Sequence, residues 1–407
     1  MTAHVLEMRE TDRFRLEDLF YSRTDKGGFI QSANDVFQFV ADYDWPDLIG
    51  APHKLVRHAS MPRAVFKVMW SHIEAGETVG AYVVNRARDN TCYWVYAVVM
   101  PIEDGYLSVR LKPTSNRLKD IKALYAALRS DEDTKKLTVE DSVAAFNDAL
   151  KSQGISSYEE FMTDALTEEM TLRSETLGQG ASPELAAISQ IKQAVQTVAG
   201  EAHKVCDLFD RTRQTPVNMH LHAARLEGNK GPISVVSDNH NLMMQQLEKS
   251  VHDLREAAEL GKAPLQAAKF LLSTAFLMEE VDTQFAAEIA RTGRENERDR
   301  KELKRLKDHY TSNAQTAVAE TRGRAERLEY LCKNLRRVLS GMQLVRIACQ
   351  IEQSQVSGDT SGINEIVMQL QGTENSISNV VAEIQEFSSG ILDMTNQLDD
   401  TFFYSCT

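Results

Sequence analysis

Arg57, His58 and Ser60, with Asn34 before them and Trp70, Asn85, Tyr93 and Trp94 after them, are residues of the types needed to hold a small molecule. A guanidinium is always charged and presents a planar fork of donors, which suits a phosphate or a ring carbonyl. Asn34 offers both a donor and an acceptor, Ser60 adds one hydrogen bond, and the indole and phenol rings supply apolar or stacking walls. Clustered within residues 32–95, they read as a sensory pocket. Plainer readings stand beside this one. Asn34 and Asp35 also suit the cap of a short helix, Trp70 and Trp94 suit a core, and Arg57 with His58 suits a surface loop.

The elements that would position these side chains form a small mixed α/β domain. Residues 19–24 and 29–31 are short apolar or β-branched runs separated by Asp25-Lys26-Gly27-Gly28, a tight-turn sequence. Residues 34–40 and 45–49 are too short for free-standing helices. Met61-Pro62 opens a longer helix, whose Val65, Met69, Trp70 and Ile73 recur at helical spacing. Residues 79–85, 91–100 and 106–111 read as three further strands, the last two joined by Asp104-Gly105. The expected fold class is α+β: a five-stranded antiparallel sheet with short helices inserted after its second strand, followed by a long all-α coiled-coil bundle.

The order and spacing of these motifs resemble the PAS domain of the bacterial aerotaxis receptors. The resemblance is carried by Ala33-Asn34-Asp35, Gly50 with Pro52-His53, Val56-Arg57-His58, Met61-Pro62, Met69-Trp70, Asn85-Arg86 and Tyr93-Trp94-Val95, and it covers residues 17–130. It implies FAD held between the sheet and the short helices, with the redox state of the flavin reporting oxygen or electron-transport status. It also implies that Asn34, Arg57, His58, Ser60, Trp70, Asn85, Tyr93 and Trp94 bind the cofactor, Arg57 as the anchor and Asn34 as a neighbour that switches partners when the ring changes protonation. The chain departs from the receptors at Ala59-Ser60, where they carry Pro-Asp, so Arg57 has no acidic partner there. Haem on His53 or His58 is the alternative cofactor.

Composition favours a signalling protein over an enzyme. At 407 residues the chain has room for two or three domains, and its net charge of −13 argues against nucleic-acid binding and against adhesion to an anionic membrane. Cys92, Cys206, Cys332, Cys349 and Cys406 are scattered without a Cys-x-x-Cys pair, which fits a reducing cytoplasm and indicates no metal site. The longest mostly apolar stretch, 267–278, is too short to span a bilayer, and the N-terminus carries no secretion signal, so the expectation is a cytoplasmic protein with no transmembrane segment. Nucleophilic triads, phosphate loops and kinase boxes are lacking, hence no enzyme is expected.

Three parts are expected: a PAS sensor over 17–113, a helical connector over 114–178, and a chemoreceptor-like helical signalling domain over 180–400. Glu168-Glu169 in the connector reads as solvated helix surface. Beyond the break at Gly178 and Gly180, apolar residues recur at steps of three and four. Ile188, Ile191, Val195, Val198, Ala202, Val205 and Phe209 form one seam; Leu328, Leu331, Leu335, Val338, Met342, Val345 and Cys349 form another. A third runs through Ile363, Ile366, Leu370, Thr373, Ile377, Val380, Ile384, Phe387, Ile391, Met394 and Leu398. Residues 291–307 interleave basic and acidic side chains, as solvated helix faces do. His220, His222 and His240 read as surface histidines.

Asn218, Ala223-Ala224-Arg225 and the run 231–238 resemble the hairpin tip of methyl-accepting chemotaxis proteins, with matching spacing. The resemblance implies contact with the chemotaxis histidine kinase and its coupling protein through His222, Arg225 and Glu227. His222 stands where the family has an acidic residue, and Leu226-Glu227-Gly228 replaces its Ala-Gly-Glu, which favours an adaptor that no longer couples to that kinase as the second reading. A weaker echo over 351–363 suggests a second hairpin. Two hairpins would supply four helical legs within one chain, an internal pseudo-dimer, with a homodimer of whole chains still open.

Overall fold

The computed structural model describes residues 9–180, 182–213, 215–227, 231–259, 262–293, 297–355 and 361–405. Five strands, β1 (Leu19–Asp25), β2 (Ile30–Ala33), β3 (Val79–Arg86), β4 (Cys92–Ile102) and β5 (Gly105–Leu111), form one antiparallel sheet in the order β2-β1-β5-β4-β3. Between β2 and β3 lie α1 (Asp35–Ala41), α2 (Trp45–Leu48), a 3-10 turn (His53–Val56) and α3 (Arg63–Glu74). This is the α+β arrangement expected of a PAS domain. The helices that follow are α4 (Arg117–Thr134), α5 (Val139–Ser152), α6 (Tyr158–Thr176), α7 (Pro183–Thr212), α8 (Thr215–Glu227), α9 (Pro232–Glu259), α10 (Lys262–Thr292), α11 (Glu297–Gln353) and α12 (Ser361–Ser405). Among the described residues no helix is long and apolar enough to cross a membrane.

Two compact units divide the chain. The first takes in Met1–Ala186 and Gln266–Ala314, the second Ala187–Leu265 and Gln315–Thr407. In the first unit, alternation along each strand sends one set of side chains towards α1–α3 and the other towards the later helices. On that second face Tyr96 Oη donates to the Met162 carbonyl at 2.6 Å, Tyr158 Oη to Gly80 at 2.8 Å and Tyr125 Oη to Tyr82 at 3.1 Å. Glu169 is not the solvated residue expected. It is fully buried and accepts from Tyr82 Oη at 2.8 Å, Thr114 N at 2.6 Å, Ser115 N at 3.0 Å and Ser115 Oγ at 2.6 Å. Glu168 stays part-exposed and pairs with Arg117 at 2.9 Å. The connector reaches α3 as well, because Glu132 of α4 accepts from Arg63 N at 2.8 Å, Ala64 N at 3.3 Å and Ser142 Oγ at 2.7 Å, closing an N-terminus whose Pro62 cap has no side-chain donor or acceptor.

Gly105 permits the close pairing of β5 with β1. A Cβ there would lie 1.9 Å from the Thr24 carbonyl oxygen, which is backbone and has no rotamer to yield. Gly105→Ala is therefore expected to destabilise the chain by at least about 1–3 kcal/mol in urea unfolding, and a variant as stable as the parent would show that the hairpin gives way freely.

In the second unit, all seven residues of the first expected seam, from Ile188 to Phe209, are buried. The second seam holds at Leu328, Leu331, Leu335, Met342 and Cys349 but leaves Val338 and Val345 half-buried. The third drifts. Phe387 is 38% exposed, and the positions buried alongside Leu370, Ile377, Ile384, Ile391 and Leu398 are Glu374, Val381, Ser388 and Thr395. Polar side chains occupy that stripe because each finds a partner: Ser388 donates to the Ile384 carbonyl at 2.7 Å, Thr395 to Leu392 at 3.0 Å, and Glu374 pairs with Arg346 at 3.0 Å. Met219 of α8, Ile233 of α9, Cys349 of α11 and Ile363, Ile366, Val367 and Leu370 of α12 share one cluster, so both hairpins contribute to a single core. The turns of both hairpins, 228–230 and 356–360, lie outside the described residues, as does Cys406. His240 departs from expectation: it is fully buried in α9, while His220 is exposed and His222 half-buried.

Candidate functional site

A cavity of about 200 Å³ lies between the inner face of the sheet and α3 with the 3-10 turn. Strand parity decides its lining: Ser22 and Thr24 of β1, Val83 and Asn85 of β3, Ala97 and Val99 of β4, and Tyr106, Ser108 and Arg110 of β5. The register places Ser22 opposite Ser108 on one side of β5, and Arg110 opposite Ala97 on the other. Phe66, Met69, Trp70 and Ile73 of α3 form the apolar wall facing these groups. His53, Lys54 and Arg57 complete the lining from the turn and the residue after it.

Of the residues expected to bind a cofactor, Arg57, Trp70 and Asn85 meet here. The Arg57 guanidinium stacks over the Phe66 ring, 3.7 Å from its centroid, and its backbone bridges to Asn85, which holds the two together. Burial, followed by repulsion from Arg129, pulls its pKa below the usual arginine value. Trp70 is 40% exposed and meets Tyr106 edge-on.

Asn34, His58, Ser60, Tyr93 and Trp94 do not line the cavity. Asn34 is committed to the backbone: its Oδ1 accepts from Tyr21 N at 3.0 Å and Phe37 N at 3.1 Å, and its Nδ2 donates to the Leu19 carbonyl at 2.8 Å. It thus caps α1 and splices that helix onto β1. His58 Nδ1 and Ser60 Oγ bond one another at 2.7 Å. Trp94 neighbours Tyr93 on β4 and so faces the opposite side of the sheet, against Tyr125. Tyr93 is on the inner face but sits in the core against Phe20. At the first hairpin, Arg225 is exposed, His222 is half-buried beside Gly362 of α12, and the side chain of Glu227 lies outside the described residues.

Sequence reasoning missed Arg110. It is 5% exposed, donates to Ser22 Oγ at 3.0 Å and to His53 Nε2 at 2.8 Å, and lies 5.7 Å from the Phe37 ring centroid. Both hydrogen-bond partners are neutral. Arginine only donates, so His53 Nε2 must carry its lone pair and the ring proton sits on Nδ1. Burial, then the adjacent guanidinium, pushes the His53 imidazole down to about 3, and burial lowers Arg110 to about 10. The cavity therefore holds a buried cation with no carboxylate in hydrogen-bond contact among the described residues. Among the described residues no group of three metal-ligating side chains occurs.

These shifts set a pH dependence. The unfolded chain protonates His53 near its ordinary value of 6.5 while the folded chain does not, so the stability conferred by the neutral ring is complete above about pH 6.5 and falls as pH drops towards 3. His240, lowered to about 4 by burial, acts in the same sense. The thermal midpoint is expected to fall between about pH 7 and pH 5, with a His53→Phe, His240→Leu double variant flattening that slope. An unchanged slope in the double variant would contradict the assignment.

No family model matches the chain. The chain is 32% identical over 142 residues to the aerotaxis receptor of Escherichia coli K12, a stretch covering 34% of this chain and 28% of that receptor. The chain thus aligns with less than a third of the receptor's length. Among solved structures, the PAS domain of a protein from Colwellia psychrerythraea is 20% identical and covers 24% of this chain and 86% of that domain, with a TM-score of 0.22. The light-state LOV domain of the blue-light photoreceptor Aureochrome1 is 20% identical and covers 27% of this chain and 90% of that one, with a TM-score of 0.23.

Proposed function

We propose that this chain is a cytoplasmic, non-enzymatic PAS-based signal-transduction sensor, in which FAD occupies the cavity and redox or oxygen status is relayed through the helices to a signalling partner. Its working parts are the sensor over 17–113, the connector over 114–178 and the signalling segment over 180–400. The observation that carries this reading is Arg110, a buried guanidinium aimed along the cavity wall with only neutral hydrogen-bond partners. An uncompensated buried charge is costly, and a ligand carbonyl or anion would offset that cost. The donor set fits a flavin: Arg110, Asn85, Ser22 and Ser108 for a polar ring edge, Trp70, Phe66 and Met69 for an apolar one, and Lys54 with Arg57 at the rim for phosphates. The cavity is smaller than the roughly 300–1,000 Å³ of whole-ligand sites, so it suits a ring system whose remainder passes out beside that rim.

Bound flavin supplies a centre that gains or loses electrons and, with them, a ring proton. Asn34 is fully engaged with backbone, so the switching role expected of it falls to Asn85, whose amide can turn either its oxygen or its NH2 inward. Haem is the weaker fit, because His53 Nε2 already accepts from Arg110 and His58 does not line the cavity. For the partner, the chemotaxis histidine kinase and its coupling protein are proposed on the likeness to the aerotaxis receptor. An adaptor role gains support from His222, whose ring fits against Gly362, where a Cβ would come within 2.4 Å, and is therefore engaged inside the chain.

Incubating the purified chain with FAD, FMN or haemin and then desalting tests the cofactor. Retention of FAD is expected; retention of haemin alone, or of nothing, would overturn it. Capture of the kinase and coupling protein by the purified chain would reject the adaptor reading.

A further inference from the structure

We infer that Asp299, at the start of α11, is a positioning residue for the cavity, and that the end of α10 and the start of α11 are the elements through which the cavity and the helices are coupled. This rests on the cavity being the sensory site. β1 has two working faces. Inward, Ser22 and Thr24 line the cavity, and Ser22 Oγ accepts from Arg110 at 3.0 Å. Outward, the very next residue, Arg23, donates through Nε to Asp299 at 2.7 Å, and the preceding one, Tyr21, meets Phe285 edge-on at 4.8 Å.

Asp299 is 4% exposed and also accepts from Ser32 Oγ of β2, so one carboxylate holds both strands of the first hairpin. Three more links come from α10: Gln284 Oε1 accepts from Leu19 N at 3.3 Å, Glu288 accepts from Asp35 N at 3.1 Å, and Arg291 pairs with Asp35 at 2.8 Å. Asn34, which splices α1 onto β1, lies between these attachment points. The connector instead meets β3 and β4, through Gly80, Tyr82 and Tyr96, and the start of α3, through Glu132.

A displacement of Ser22 by whatever engages Arg110 must move Arg23, since adjacent strand residues share one backbone and the sheet is closely packed. Coupling is reciprocal, so fixing β1 from behind through Asp299 sets the cavity, and changing the cavity biases α10–α11. α11 runs from Glu297 to Gln353, and its residues up to Ala314 belong to the first unit.

Amide hydrogen exchange on the full chain tests this without any ligand. Arg110→Met alters only the inner face, yet is expected to change exchange over residues 284–303 by about fivefold or more while leaving α5 as it was. In an Asp299→Asn background the same substitution should produce no such change. Gln284→Ala, which removes the bridge to Leu19 N, serves as a second background should Asp299→Asn not fold. With FAD present, Asp299→Asn should also weaken binding about fivefold, and Asp299→Glu should restore it. Unchanged exchange over 284–303 in Arg110→Met, or an equal response with and without Asp299, overturns the inference. If the chain retains no FAD, only the cofactor reading falls, and the exchange result decides the coupling alone.

Discussion

Arg110→Met weakens FAD binding about tenfold to a hundredfold and leaves the ligand-free chain at least as stable as the parent; that combination is the expected result. The two signs come from one cause. The guanidinium is 5% exposed, and its hydrogen-bond partners, Ser22 and His53, are uncharged, so the empty cavity bears the cost of a desolvated charge. Methionine has similar reach and no charge, which removes that cost and sets it against the loss of two hydrogen bonds. A hydrogen bond from a charged donor to the ligand is worth about 1.5–3 kcal/mol, and each 1.4 kcal/mol is about tenfold in affinity. Flavin titration and the ligand-free thermal midpoint measure the two signs separately. A variant that binds FAD normally, or one whose ligand-free fold collapses, would make Arg110 a structural residue.

The largest stability effect is expected at Glu169. Truncation to alanine strands four donors, Tyr82 Oη, Thr114 N, Ser115 N and Ser115 Oγ, around a carboxylate that is itself fully buried. Leaving buried partners unpaired in this way costs about 3–5 kcal/mol. Glu169→Gln keeps one oxygen acceptor and the side-chain volume, so its cost should be about half as large. The amides of Thr114 and Ser115 lead out of β5 into α4, so the first consequence of the loss is a connector detached from the sheet. Urea unfolding with proteolysis of the α4 segment follows both effects. A Glu169→Ala chain within about 1 kcal/mol of the parent would show that water replaces the carboxylate.

The strands and the order of the short helices were legible because alternation and turn residues are local signals, and the first heptad seam was legible because every core position on it is apolar. Arg110 was not. On β5 it alternates with Leu107, Val109 and Leu111, a pattern that reads as a strand with one wet face, and only the packing of α3 over that face turns the polar side inward. Trp94 misled for the related reason that it adjoins Tyr93, and neighbours on a strand cannot face the same cavity. Asn34 carries a residue type that suits both a ligand and a cap, and its three backbone bonds decide for the cap. In α12 the seam was right at Ile363, Ile366, Leu370, Ile377, Ile384, Ile391 and Leu398, and missed by one residue only at Thr373, Val380, Phe387 and Met394, because Glu374, Ser388 and Thr395 hold core positions by bonding within the bundle. The packing of residues 266–314 with the sensor sheet left no local trace either. It depends on pairs such as Arg23 with Asp299, which lie 276 residues apart.

Anaerobic reduction of the FAD-loaded chain, followed by visible absorbance and by limited proteolysis on the same sample, tests the central claim most directly. The account predicts that the flavin bands bleach on reduction and return in air, and that cleavage within the end of α10 and the start of α11 changes and reverts with them. A flavin that cycles between its states while the cleavage pattern stays identical would contradict the claim that this cavity signals through the helices.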